Sequence, residues 1–254
     1  MKNKDKWLPS KYVHRRGRLM ASRNPAEVMF GSRLMADIVA AHYDKHIPQH
    51  AKGRLIDLGC GKVPLFEAYR DYIVENVCVD WHYSMHLNEY LDYTCDLNEQ
   101  LPFRDGEFDT IILSDVLEHV AEPGHLWREM SRILKTNGKL LANVPFFYWL
   151  HEQPHDYYRF TEHALRRFAN LSGFQLLVLE PVGGAPEVIA DILAKHMQAL
   201  PLAGDWLALA FQRATQAFVS STLGEKVSRK TNGSFPLGYF LVGENYKGGT
   251  SYER

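Results

Sequence analysis

The sequence predicts an α/β fold: a seven-stranded, mostly parallel sheet with helices on both faces, an N-terminal helical arm, and a helical insertion before the last strand. Three observations carry this. The apolar run Leu55-Ile-Asp-Leu-Gly-Cys-Gly61 breaks off in two glycines, as a strand does when its backbone must turn sharply and approach a ligand without a Cβ in the way. A second apolar run, Val77-Cys-Val79, ends in Asp80, where a carboxylate is placed to accept from both hydroxyls of a ribose. Short apolar runs then alternate with segments of helical period, the pattern of strand–helix–strand units with right-handed crossovers.

In chain order, residues 1–49 open with Lys2, Lys4, Lys6, Lys11, Arg15, Arg16, Arg18 and Arg23 against the acid Asp5. Two readings stand for this cluster: a solvated arm, or a contact for phosphate or an acidic lipid surface. Asn24-Pro-Ala-Glu27 reads as a helix start, with Asn24 as cap, Pro25 at the first position and Glu27 reaching back. Leu34, Met35, Ile38, Val39 and His42 repeat at helical spacing, so this helix should pack on the core. Strands are expected at 54–58, 76–80, 92–95, 109–114, 139–144 and 174–180, and 237–242 is the last. The helix after Gly61 should start near Val63; Pro64 stands where G-x-G-x-x-G needs a third glycine, which argues against a dinucleotide ligand. Pro123 opens a helix whose apolar face is Leu126, Trp127, Met130, Ile133 and Leu134, and Asn137-Gly138 ends it.

Beyond residue 180, two amphipathic helices fill the gap before the last strand. One carries Val188, Ile189, Ile192, Leu193, Met197 and Leu200; the other carries Trp206, Leu207, Ala210, Phe211, Ala214 and Phe218. A cap on the domain, a homodimer interface and a helix lying on a membrane all fit them, whereas Asp205 and Arg213 exclude a spanning role for the second. The expected organisation is 1–49 basic arm and helix, 50–180 core, and 181–254 helical cap and final strand.

Composition narrows the classes. The chain of 254 residues suits one α/β domain with an appendage, and its net charge of −1 gives no bulk attraction to nucleic acid. Cys60, Cys78 and Cys95 have no metal-like spacing and read as buried thiols. With no signal-peptide run and no stretch near the roughly 20 apolar residues of a bilayer span, a cytoplasmic protein is expected.

From Arg54 to Glu180 the blocks around Asp57, Asp80, Asp96 and Ser114 resemble the class I S-adenosylmethionine-dependent methyltransferases of the type 11 kind, with a Rossmann-like sheet. That resemblance implies S-adenosyl-L-methionine as cofactor. It also implies that Asp57 and the Gly59-Cys60-Gly61 turn pack against the methionine part, and that Asp80 binds the ribose with Trp81 beside the adenine. Asp96 and Leu97 would read and flank the adenine, and Ser114 and His119 would line the methionine end. In such proteins a leading helix borders the pocket, which puts Arg33 toward the methionine carboxylate. One departure is Val63, where the family has a third glycine. From the residues alone, His119 also reads as a helix-start residue and Trp81 as a core aromatic.

The acceptor side is expected in Val144-Pro-Phe-Phe-Tyr-Trp-Leu-His-Glu-Gln-Pro-His-Asp-Tyr-Tyr-Arg-Phe-Thr161, which follows the fifth strand and concentrates polar and aromatic groups. His151-Glu-Gln-Pro-His155 satisfies H-E-x-x-H, but Pro154 breaks the continuous helix that zinc chemistry requires, so no metal is expected. The stretch resembles a signature of type 11 methyltransferases met beside glycan-biosynthesis enzymes, which implies an oxygen acceptor on a sugar or related small molecule. A hydroxyl acceptor benefits from a base. His155 backed by Asp156 is the first candidate and His151 the second, unless Asp156 and Arg159 only pair with each other. Two alternatives differ in class: a cofactor-binding, non-catalytic assembly module, and an RNA methyltransferase resting on the basic arm.

Overall fold

The computed structural model describes residues 1–82 and 89–246. Its strands and helices, in chain order, are β1 (Tyr12–Arg15), β2 (Arg18–Ala21), α1 (Arg33–His50), β3 (Gly53–Leu58), α2 (Phe66–Tyr69), β4 (Ile73–Asp80), β5 (Tyr93–Thr94), β6 (Phe108–Ser114), α3 (Pro123–Ile133), β7 (Leu134–Pro145), α4 (Glu162–Leu171), β8 (Phe174–Val182), α5 (Ala185–Gln198), α6 (Gly204–Val219), α7 (Thr222–Thr231) and β9 (Gly238–Asn245). The main sheet has seven strands in the order β5-β4-β3-β6-β7-β9-β8. All pairs are parallel except those of β9, which runs antiparallel to both β7 and β8.

Central strands buried on two faces are mostly apolar, and in β3 Leu55, Ile56 and Leu58 are fully buried, with Asp57 the buried polar residue among them. Ile56 and Leu58 join one core with Val77, Val79, Ile111 and Leu113, under Trp127 and Met130 of α3. Leu55, Cys78, Ile112 and Leu141 face the other way, against Val39, Tyr43 and Ile47 of α1. The ring of Tyr43 meets that of Phe240 edge-on at 5.0 Å. Every parallel strand delivers its carboxyl end to one edge of the sheet, the edge where open α/β folds hold ligands.

Several expectations are corrected. Within residues 1–49 the helix on the core is α1, and ahead of it, past a single turn at Lys4–Lys6, β1 and β2 form a hairpin outside the main sheet, with Tyr12, Leu19 and Ala21 buried. Asn24 caps a single turn, its side chain accepting from Ala26 N at 3.1 Å, and Met29 then takes an extended conformation that stops any helix there. Helix α1 starts at Arg33 because two glutamines of the cap supply acceptors: Gly31 N donates to Gln198 Oε1 at 2.9 Å and Leu34 N to Gln212 Oε1 at 3.1 Å. Helix α2 waits until Phe66, three residues past Val63. Helix α3 ends at Ile133, and Asn137, at φ 62°, bends β7 instead of ending the helix.

The insertion holds three helices, not two. Helix α5 buries Val188, Ala190 and Ala194, whereas Ile189, Ile192 and Leu193 are exposed and Trp206 of α6 is 75% exposed. Small side chains won that face because the backbone of Gly31 comes close: a Cβ there would stand 3.2 Å from Lys195 N. The insertion leaves and rejoins the sheet at one point, with Val182 paired to Gly238 and Leu237 N donating to Val182 O at 2.8 Å. No described helix is long and apolar enough to cross a membrane.

Candidate active site

At the carboxyl end of β3 the chain turns through Gly59 and Gly61, both left-handed at φ 69° and 49°. Gly59 N and Cys60 N donate to Val79 O at 2.9 and 3.0 Å, which folds the turn over the end of β4. No side chain fits at 59, where a Cβ would stand 2.5 Å from Val116. Val63, at the position of the missing glycine, keeps the left-handed conformation at φ 53° and is fully buried. A β-branched residue is strained there, so the loop path is retained against the residue's own preference.

Asp80 closes β4 and reaches back to this turn: Oδ2 accepts from Gly61 N at 2.9 Å and Oδ1 from Trp81 N at 2.7 Å. Asp96 closes a small turn of its own, accepting from Asn98 N at 2.8 Å. These elements wall a cavity of about 720 Å³ that brings together Gly59, Cys60, Gly61, Asp80, Trp81, Asp96, Leu97, Ser114, His119 and, from the acceptor segment, His155.

Two expected cofactor residues are not on its wall. Asp57 lies inside β3 and accepts from the Tyr69 hydroxyl at 3.1 Å; Asn76 in turn donates to that hydroxyl at 2.9 Å. Burial pushes the Asp57 carboxyl up to about 7, with the Tyr69 bond opposing and the Asp80 charge adding. Arg33 instead lies over the Phe30 ring at 4.2 Å and donates to Arg23 O at 2.6 Å. Burial, with Arg23 and Arg213 near, lowers its pKa. Arg33 stands off the cavity wall, among Arg23, Arg213, Asp37 and Asp205.

The acceptor segment is not a helix, and its two histidines diverge, which removes the H-E-x-x-H reading. His155 meets Trp81 edge-on at 4.7 Å, with Nδ1 3.0 Å from the Tyr157 hydroxyl. Asp156 does not back His155. Its carboxylate accepts from Arg159 at 2.6 and 2.8 Å and from His151 N at 2.9 Å, and lies 3.4 Å from His151 Nδ1. Arg159 holds the Asp156 carboxyl down to about 2. Adjacent side chains of a non-helical segment point apart, so the carboxylate serves the histidine five residues back.

His151 Nε2 meets His119 Nε2 at 3.2 Å. Beneath them is Glu118, fully buried, with an oxygen 3.7 Å from His151 Nε2 and 3.8 Å from His119 Nε2. Neither of its oxygens has a hydrogen-bond partner among the described residues. Burial raises the Glu118 pKa; burial alone would lower that of His151, and Glu118 and Asp156 more than reverse it. Glu118 also pins the segment, its carbonyl accepting from Tyr157 N at 2.9 Å and Tyr158 N at 3.2 Å.

Sequence reasoning missed Glu118, although it adjoins His119, because nothing local shows that a segment 33 residues later covers it. It also missed Lys11, which donates to Asp115 Oδ2 at 2.7 Å, and Asn143, which donates to Asp115 Oδ1 at 2.5 Å. Lys11, Asp115 and Glu152 also border a second cavity of about 240 Å³. Its floor is apolar, with Val28, Met35 and Val39, and Glu118, His151 and Tyr148 stand at its polar side.

Residues 56–142 match the family described as "Methyltransferase domain". The chain is 28% identical over 173 residues to a ubiquinone biosynthesis O-methyltransferase of Chromobacterium violaceum, an alignment covering 56% of this chain and 73% of that protein. It is 30% identical over 115 residues to a demethylmenaquinone methyltransferase of Renibacterium salmoninarum, covering 43% and 45% respectively, so it spans under half of that protein. Among solved structures, an S-adenosylmethionine-dependent methyltransferase of Archaeoglobus fulgidus superposes with a TM-score of 0.52 at 16% identity, covering 82% of this chain and 93% of that one, a likeness of fold.

Proposed function

We propose that this chain, a class I S-adenosylmethionine-dependent methyltransferase, methylates a hydroxyl oxygen on a small acceptor with an apolar body. The observation that carries this reading is a pair of adjacent cavities bordered in common by Lys11, Glu27, Asp115 and Glu152: one walled by the glycine turn, Asp80 and Asp96, the other with an apolar floor and the Glu118–His151 pair at its polar side. An apolar floor suits a ring or short hydrocarbon body better than a sugar, whose hydroxyls would lose water there without partners. The names of the two curated relatives point the same way, toward quinone-type acceptors.

S-adenosylmethionine bound in the larger cavity supplies an activated methyl group open to in-line displacement. The residues of the chain bind and orient. Asp80, already fixed by Gly61 N and Trp81 N, takes the ribose; Asp96 and Leu97 take the adenine; Ser114 and the glycine turn border the methionine end. His155, set against Trp81, belongs to the adenosine side of the cavity. The acceptor's proton therefore leaves toward Glu118 and His151, not His155.

Labelled methyl transfer from S-adenosylmethionine tests this with three acceptor classes: phenols and hydroquinones, free sugars, and RNA. Turnover confined to the first is expected. Turnover of sugars or RNA alone rejects the acceptor assignment, and cofactor binding with no transfer to any class favours a non-catalytic module.

A further inference from the structure

We propose that Glu118, His119 and His151 form a binding site for a divalent transition-metal ion, with zinc the best match, on the wall between the two cavities. All three offer a ligand atom within 4.8 Å of one another. The tautomers make the point sharper. His119 Nδ1 lies 2.8 Å from His155 O, which can only accept, so Nδ1 carries the proton. His151 Nδ1 lies 3.3 Å from Trp149 O and 3.4 Å from Asp156 Oδ2, and the same holds. Both Nε2 atoms then present lone pairs to each other at 3.2 Å, above a buried carboxylate whose two oxygens have no hydrogen-bond partner among the described residues. Three ligand atoms converge on one point, and a cation placed there would satisfy all three.

The spacing fits one. Ligands about 2.0–2.1 Å from a tetrahedral zinc stand roughly 3.4 Å apart, and the three separations here are 3.2, 3.7 and 3.8 Å. Each histidine has its outer nitrogen held by a carbonyl or carboxylate, the arrangement that fixes ring orientation and raises ligand basicity in metal sites. Two imidazoles exclude the all-oxygen preference of magnesium and calcium, and three protein ligands leave a position open to a substrate atom. This inference rests on the proposed function only for its catalytic consequence. With the ion bound, Glu118 and His151 would hold it and would no longer take the proton themselves: an acceptor hydroxyl in the open position would give its proton to water more readily, the oxygen bonding to the methyl carbon as the carbon–sulfur bond breaks, with the ion unchanged.

The full chain, stripped with a chelator and dialysed against zinc chloride, should retain one equivalent per chain by elemental analysis. His151→Ala and Glu118→Gln should each weaken zinc binding in calorimetry by at least about 100-fold, the upper end of what loss of an outer-sphere contact alone costs. Both should still bind S-adenosylmethionine, which shows that they fold. Magnesium should bind the unaltered chain more weakly than zinc. No retained zinc, or zinc held as tightly by both variants, overturns the site. Zinc binding lost in the variants, with no acceptor turned over by the zinc-loaded enzyme, leaves the site standing and rejects the acceptor reading.

Discussion

The glycine-turn wall of the main cavity and the polar side of the second cavity are built from different materials. On the wall formed by the ends of β3 and β4, backbone amides do the holding: Gly59 N and Cys60 N bond Val79 O, and Asp80 accepts from Gly61 N and Trp81 N. At the polar side of the second cavity, side chains hold side chains: Arg159 with Asp156, Asp156 with His151, and His151 with His119 over Glu118. The first wall is written in two short runs, 59–61 and 79–81, because backbone turns answer to local conformation. The second is assembled from segments more than 30 residues apart, so its pairings follow packing and not adjacency.

Four changes test that difference. His151→Ala should lower turnover by about 10²–10⁴ while leaving S-adenosylmethionine affinity nearly intact in calorimetry; a matching loss of affinity would mean the two walls are not separable. Asp57→Asn comes next. Its folded pKa of about 7 lies above the unfolded carboxylate value, so the native state keeps a proton the unfolded chain has lost, and stability falls as pH rises from about 4 to about 7. Thermal melts of the unaltered chain should show that decline, worth up to about 4 kcal/mol, and the variant should flatten it. Asp80→Ala should weaken the cofactor by about 100-fold, as expected when two charge-assisted bonds of about 1.5–3 kcal/mol each are lost and the turn is released; turnover at saturating cofactor should fall less. Arg159→Ala should cost about 1–2 kcal/mol in urea unfolding. Because Asp156 is held at about 2, the contribution of that pair is present above about pH 4 and fades as pH falls toward 2, so the cost of the substitution should fade with it.

The same division governs what the sequence discloses. The run Leu55–Gly61, Asp80, and the positions of the strands along the chain are legible because period and glycine placement are local. Arg33 lies off the cavity wall, on a helix that begins at Arg33 and not at Pro25, a start set by Gln198 and Gln212 from helices far along the chain. Asp156 was assigned to its neighbour in sequence, and the fold gave it to His151. The exposed stripe on α5 inverts the amphipathic reading because a close backbone approach at Gly31 selects Ala190 and Ala194 for the packed face.

The paired ends of the insertion have an architectural consequence. Since the chain departs after Val182 and returns at Leu237 through a single hydrogen-bonded doorway, the sheet meets the insertion mainly through Val188, which joins the core of Val182, Leu237 and Phe240, and closure entropy grows only slowly with its length. Residues 185–231 are thus exchangeable as a block, provided a replacement offers acceptors to Gly31 and Leu34. A lineage could reshape that side of the molecule wholesale while the donor-gripping turn on the opposite flank never registered the swap.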